Sequence, residues 1–263
     1  MTISIHEREL LRTRWRRSLF EVGLDSAARE DFALGGLATR LTDVTVQILL
    51  LPADPVADAF PINTTTAQWL SDMNSIQLAG VQLKLPDEAR RTAHALVLAR
   101  QYNNDSWNSY LAIHRSGAID WGLGRDGGWT RNDREGAPAR QVFLSPVVAR
   151  VWATVRLASI LAAEHDVGGP YSLSVGIRGT HGAQLGCLSE GWMEPGDFRD
   201  HVRPCVDRHL LWRMEFDHVA NEVEAEQIAY GIGDRIEDAW GVSQRRYLAN
   251  RGDYEGKLDP RTC

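Results

Sequence analysis

Only three cysteines occur in the 263 residues, Cys187, Cys205 and Cys263, odd in number and without a C-x-x-C pair. That usage supports neither a disulfide framework nor an all-cysteine zinc site, and it fits a reducing cytoplasm. Long apolar runs are missing as well. No stretch approaches the roughly 18 residues that cross a bilayer, and the amino terminus lacks a basic-then-apolar leader pattern, so the expectation is a soluble cytoplasmic protein with no membrane partner. Basic charge is in deficit: 29 Lys and Arg against 35 Asp and Glu give a formal net charge of −6. Broad, non-specific binding to nucleic acid is therefore disfavoured, which leaves only a local basic face to consider. The nucleophile elbow G-x-S-x-G, the zincin motif H-E-x-x-H and the phosphate loop G-x-x-x-x-G-K-[ST] are all absent. There is no internal repeat, low-complexity tract or heptad run.

What is present is an ordinary globular composition, 43% apolar, and one well-punctuated stretch from Tyr110 to Phe216. Residues 110–115 and 118–123 alternate like two strands, and Ser116-Gly117 between them predicts a tight hairpin turn. Residues 125–140 are polar and read as a surface loop. Ser145 before Pro146 has the chemistry of a helix start, and Val147, Val151, Val155, Ala158 and Ala162 recur at helical steps to about His165. Val148, Trp152 and Leu161 occupy the opposite side, so this helix is central. Gly168-Gly169-Pro170 stops it. Tyr171, Leu173, Val175 and Ile177 then predict a strand with one buried face, followed by a second hairpin through residues 179–182. Leu210, Trp212, Met214 and Phe216 alternate again, and Asp217 caps an acidic helix beginning near His218.

The first half is less regular. The pattern predicts an amphipathic helix over residues 6–22 with Leu10, Leu11, Trp15, Leu19 and Phe20 on its apolar side, and a second helix start at Asp25 or Ser26. Leu41 to Leu51, β-branched at first and leucine-rich later, fits helix or strand by pattern, and helix is the expectation. Pro52, Pro55 and Pro61 mark an irregular connection. Pro86-Asp87-Glu88 opens a further helix to about Gln101. These elements predict an α+β fold, a mostly antiparallel sheet with helices packed on one face, as residues 61–263, preceded by a helical amino-terminal layer, residues 1–60.

Four constellations carry candidate chemistry. Gly122-Leu-Gly124-Arg-Asp-Gly127 matches G-x-G-x-x-G, but no helix start follows it, so it reads as a glycine-rich exit from the hairpin. His201, Cys205 and His209 stand at four-residue steps and offer borderline and soft ligands to Zn²⁺, against Pro204, which interrupts a helical arrangement. His218, Glu222 and Glu226 line one face of a continuous helix, where they hold a divalent metal or form a solvated acidic stripe. Arg12, Arg16 and Arg17 flank Trp15, a set suited to phosphate and a stacked base or to an acidic protein surface.

The Tyr110–Leu123 hairpin, the helix after Ser145, the Gly168-Gly169-Pro170-Tyr171 lead into a strand and the closing Asp234-Arg-Ile-Glu-Asp-Ala-Trp-Gly241 resemble the carboxy-terminal region of bacterial proteins that carry an AlbA-2-type DNA-binding domain, also called divergent AAA-4 and related to the Schlafen core. The resemblance covers roughly residues 100–250. It does not extend to the AlbA-2 domain itself, whose Asn-x-x-Gly-Gly feature this sequence lacks, and it brings no catalytic residues. It implies a partner or sensing half of a DNA-binding or defence system. The expectation is a non-catalytic recognition or regulatory module without a cofactor, acting through a protein partner or a second copy of itself. The alternative is a metal-dependent hydrolase or nuclease built on one of the two histidine sets.

Overall fold

The computed structural model describes residues 45–52, 59–73, 75–78, 81–86, 88–92, 95–101, 103, 107–124, 127–132, 138–186, 203–217 and 222–242. Among these lie twelve strands and three helices. The strands are β1 (Thr45–Pro52), β2 (Ser75–Leu78), β3 (Val81–Lys84), β4 (Glu88–Arg91), β5 (Ala95–Gln101), β6 (Trp107–His114), β7 (Ile119–Leu123), β8 (Gly128–Asn132), β9 (Pro138–Phe143), β10 (Tyr171–Arg178), β11 (Gln184–Gly186) and β12 (His209–Phe216). The helices are α1 (Thr64–Met73), α2 (Leu144–His165) and α3 (Glu222–Ala239).

Seven strands form the main sheet in the order β12-β10-β1-β7-β6-β5-β4, antiparallel at every step. The predicted α+β class with a large antiparallel sheet is what the chain adopts. Directly paired residues share a face. On the first face lie Val46, Ile48, Leu50, Leu111, Ile113, Ile119, Trp121, Leu173 and Val175, all buried. They form one core with α2, which contacts β1 and β7 and in turn carries α3. α2 is buried on nearly every side because sheet and helix sandwich it. By length and composition it meets the test for a membrane span, which the reading of apolar runs had excluded, yet 72% of the qualifying stretch is buried within the protein.

Several local expectations are corrected. Residues 41–51 do not form a helix over their described part. β1 begins at Thr45 and lies centrally, buried on both faces, so its apolar run has no alternation to betray a strand. Within residues 88–101 lie β4 and β5, and between them the Thr92 hydroxyl both accepts from the Ala95 amide and donates to the Ala95 carbonyl, each at 2.9 Å. The polar 125–140 segment contains β8 and β9, which pair with each other, while β11 adds parallel to β9. The turn after β10 is therefore not a hairpin. The Gly179 and Thr180 amides bond to the Arg208 carbonyl and Gly182 to Cys205, so this segment leads to β11 while the chain before β12 lies beside it. β10 is buried on both faces, not one.

The α2 N-cap is Phe143 in extended conformation without a side-chain cap, which places Ser145 inside the first turn. On α3 the buried positions include Ala225, Ala229, Ile232 and Ile236, whereas Tyr230 is half-buried. The β6–β7 hairpin is as expected, with Gly117 at φ 79° where a side chain would be strained. α1, β2 and β3 were not anticipated. The helical amino-terminal layer, residues 1–60, falls mostly outside the described residues.

Candidate functional site

On the second face of the sheet the pattern changes from apolar to mixed. β1 contributes Gln47 and Leu49, β7 contributes Asp120 and Gly122, β6 contributes Tyr110 and Ala112, and β10 contributes Ser172 and Ser174. Asp120 is paired directly with Leu49 and Ala112, so Gln47 and Tyr110 reach it from the diagonal positions on either side. The Tyr110 hydroxyl donates to Asp120 Oδ2 at 2.9 Å and the Gln47 amide donates to Oδ1 at 3.2 Å. Gly122 makes this possible, because a Cβ there would lie 2.1 Å from Tyr110 Cε1. The phenol ring occupies the space that a side chain would take.

Asp120 and Tyr110 are both 0% exposed and Gln47 only 7%. Burial penalises the carboxylate and pushes the Asp120 carboxyl up to about 7, while the bonds from Tyr110 and Gln47 pull the other way. Tyr110 is raised well above the ordinary phenol range, first by burial and then by the neighbouring carboxyl. The pair is thus an acid poised near neutrality beside a phenol that stays protonated. Such a pair has the chemistry of a proton donor and acceptor. Closed in as it is, no substrate atom reaches it in this conformation, and its direct consequence is structural: three strands are held in one register by one satisfied polar network.

The border of the same face has the opposite character. β12 is an edge of the main sheet, and His209, Leu211, Arg213 and Glu215 are exposed along it. The bond from the Gly179 amide to the Arg208 carbonyl, 3.1 Å, sets the hydrogen-bonding phase of the β10–β12 pair. Even-numbered residues of β12 turn their backbone groups toward β10, and residues 209, 211, 213 and 215 turn theirs to the open edge. One of these, the Arg213 carbonyl, accepts from Arg235 Nη1 of α3 at 3.3 Å. Leu211 is 43% exposed and Val206, just before the strand, 79%, the large apolar side chains most open to solvent among the described residues.

The sequence-derived sites are scattered by comparison. Cys205 is buried in the core with its thiol 3.7 Å from the Asp207 carbonyl, whereas His209 stands exposed at the start of β12. His201 lies outside the described residues, as do His218, Arg12, Trp15, Arg16 and Arg17. Glu222 begins α3 and Glu226 is half-buried one turn on. Among the described residues no group of three or more His, Cys, Asp or Glu is placed to hold a metal ion. Gln47, Tyr110 and Asp120 were missed. Their signal was one acidic residue inside Ile119-Asp-Trp-Gly-Leu123, opposite a strand whose tyrosine could reach it.

Among the described residues the α+β fold has a sealed polar centre and ends at β12 as a sheet border. No family model, curated protein or solved structure matches the chain.

Proposed function

We propose that the chain is a non-catalytic recognition or regulatory module that docks a protein partner through the β12 edge, in keeping with the accessory role in a DNA-binding or defence system that its resemblance implies. The observation that carries this reading is the coincidence of Val206 and Leu211, both open to solvent, with eight residues of edge strand. A strand at the border of a sheet is a template for strand addition, in which main-chain bonds give affinity and flanking side chains give selectivity. The opposite edge supports the assignment. β4 has four residues and exposes Arg90 and Arg91, a short charged border of the kind that discourages pairing.

A photo-crosslinking residue in place of Leu211, compared with one in place of the exposed Gln68 on α1, tests the reading in cells that make the protein. A discrete adduct formed from position 211 and not from position 68 is the expected result. Equal labelling from both, or none from position 211, overturns it.

A further inference from the structure

We infer that the partner taken at this border is an acidic peptide segment carrying apolar residues, held by the guanidinium groups of Arg203 and Arg208 around the exposed side chain of Val206. This rests on the recognition reading and names the chemistry of its partner.

The segment that leads into β12 is pinned to the turn after β10. The Cys205 amide donates to the Ala183 carbonyl at 2.9 Å, and the Gly182 amide donates to the Cys205 carbonyl at 2.8 Å. His181 Nδ1 lies 2.9 Å from the Val206 carbonyl, a bond that only a protonated Nδ1 makes. The Thr180 hydroxyl donates to the Asp207 carbonyl at 2.7 Å, and the Gly179 and Thr180 amides reach the Arg208 carbonyl. Every carbonyl from 205 to 208 thus has a donor, and the buried Cys205 side chain anchors the segment in the core. Val206 is therefore held outward, 79% exposed, by a backbone already committed on both sides of it. An apolar side chain fixed in that way makes contact without a further ordering cost.

Charge selects the partner. Arg203, Arg208, His209 and His181 are exposed in and beside this segment, against one exposed acid within it, Asp207. Among the described residues no hydrogen bond or ion pair engages the side chains of Arg203, Arg208, His209 or Asp207. Arg213 and Glu215, farther along β12, already interact within the chain and take no part. Two guanidinium forks with unused donors match carboxylates, which they pair bidentately. Nucleic-acid phosphates share that anionic chemistry, but a net charge of −6 repels a polyanion more than a short peptide. The large apolar side chains exposed among the described residues, Val206 and Leu211, are aliphatic and offer a base no ring to stack on. A peptide that intersperses acids with apolar residues meets both the guanidinium groups and these two side chains.

Selection of displayed random peptides on the full chain tests this. Enrichment of peptides that combine Asp or Glu with aliphatic or aromatic residues is expected. One such peptide, synthesised with a fluorescent label and followed by anisotropy, is expected to bind Arg203→Glu combined with Arg208→Glu at least roughly 10-fold more weakly than the wild type. Val206→Ser is expected to weaken it roughly 3- to 10-fold. Exchanging the peptide's acids for Lys is expected to abolish binding to the wild type and restore it to the arginine variant. These changes fall on exposed side chains, and native circular dichroism verifies each variant. No enrichment, enriched peptides without acids, or an affinity indifferent to the arginine changes overturns the inference. Tighter binding of single-stranded oligothymidylate than of the peptide overturns it in favour of nucleic acid. In any of these cases a position-211 adduct with a protein keeps the recognition reading, whereas no adduct together with no enriched peptide overturns both.

Discussion

The centre of the second sheet face and its border at β12 follow the same two-residue period, yet they invert the usual relation between polarity and exposure. In the centre a carboxylic acid is fully buried, while at the border a leucine is 43% exposed. Chemistry of the residue does not explain this, since Asp120 and Glu215 are both acids on alternating strands of one sheet. Neighbours explain it: Asp120 has a phenol and an amide within bonding distance, and the β12 residues stand at the sheet's open end. Polar residues buried with partners specify register, and apolar residues left exposed at an edge specify contact. The first region is read as architecture and the second as recognition on that ground.

The largest effect expected from this contrast is on pH dependence. Asp120 is protonated in the folded chain up to about 7, whereas in the unfolded chain its ordinary value is 3.8. Between those values the folded state holds a proton that the unfolded state releases, so this group's contribution is fully present below about pH 4 and is lost as pH rises through about 7. The span corresponds to a contribution on the order of 4 kcal/mol. Asp120→Asn keeps the shape and one acceptor oxygen, with an N–H in place of the acid's O–H, and removes the titration. Urea unfolding of both proteins from pH 4 to 8 is expected to show the wild type losing stability relative to Asp120→Asn across that range. Parallel pH profiles sink the idea that the buried centre is a neutral acid.

Gly122→Ala attacks the centre through its shape. The added methyl meets the Tyr110 ring, which is itself fully buried and cannot swing into solvent. Displacing it strains the packing and strips Asp120 of its phenol, at a cost of about 2–3 kcal/mol. The same substitution with Tyr110→Phe is expected to cost less than the sum of the two, because the ring's bond is then already gone. Additive thermal unfolding data separate the glycine from the network.

The hairpin, the central helix and the β10 and β12 strands were legible because turns, glycines and periodicity agreed locally. β1 and β5 were not, because strands buried on both faces lose the alternation that distinguishes them from helices, as Leu49-Leu50-Leu51 and Ala95-Leu-Val-Leu-Ala99 show. β8 and β9 hid behind polar composition. The Asp120 network was invisible for another reason: Gln47, Tyr110 and Asp120 are separated by up to 73 positions, and only the β1–β7–β6 register brings them together. Exposure of Leu211 was equally unreadable, since the alternation of Leu210, Trp212, Met214 and Phe216 shows which residues face the core but not what covers the other side.

The smallest effect tests that last point. Leu211→Thr keeps strand propensity while removing most of the exposed apolar surface. Measured on dilute protein, where association does not contribute, its stability is expected to stay within about 0.5 kcal/mol of the wild type, as for other exposed sites. The same change is expected to weaken whatever contact the edge makes. A loss of about 1.5 kcal/mol or more in the dilute protein means that Leu211 is packed within its own chain, and the border of the sheet then belongs with its centre as architecture.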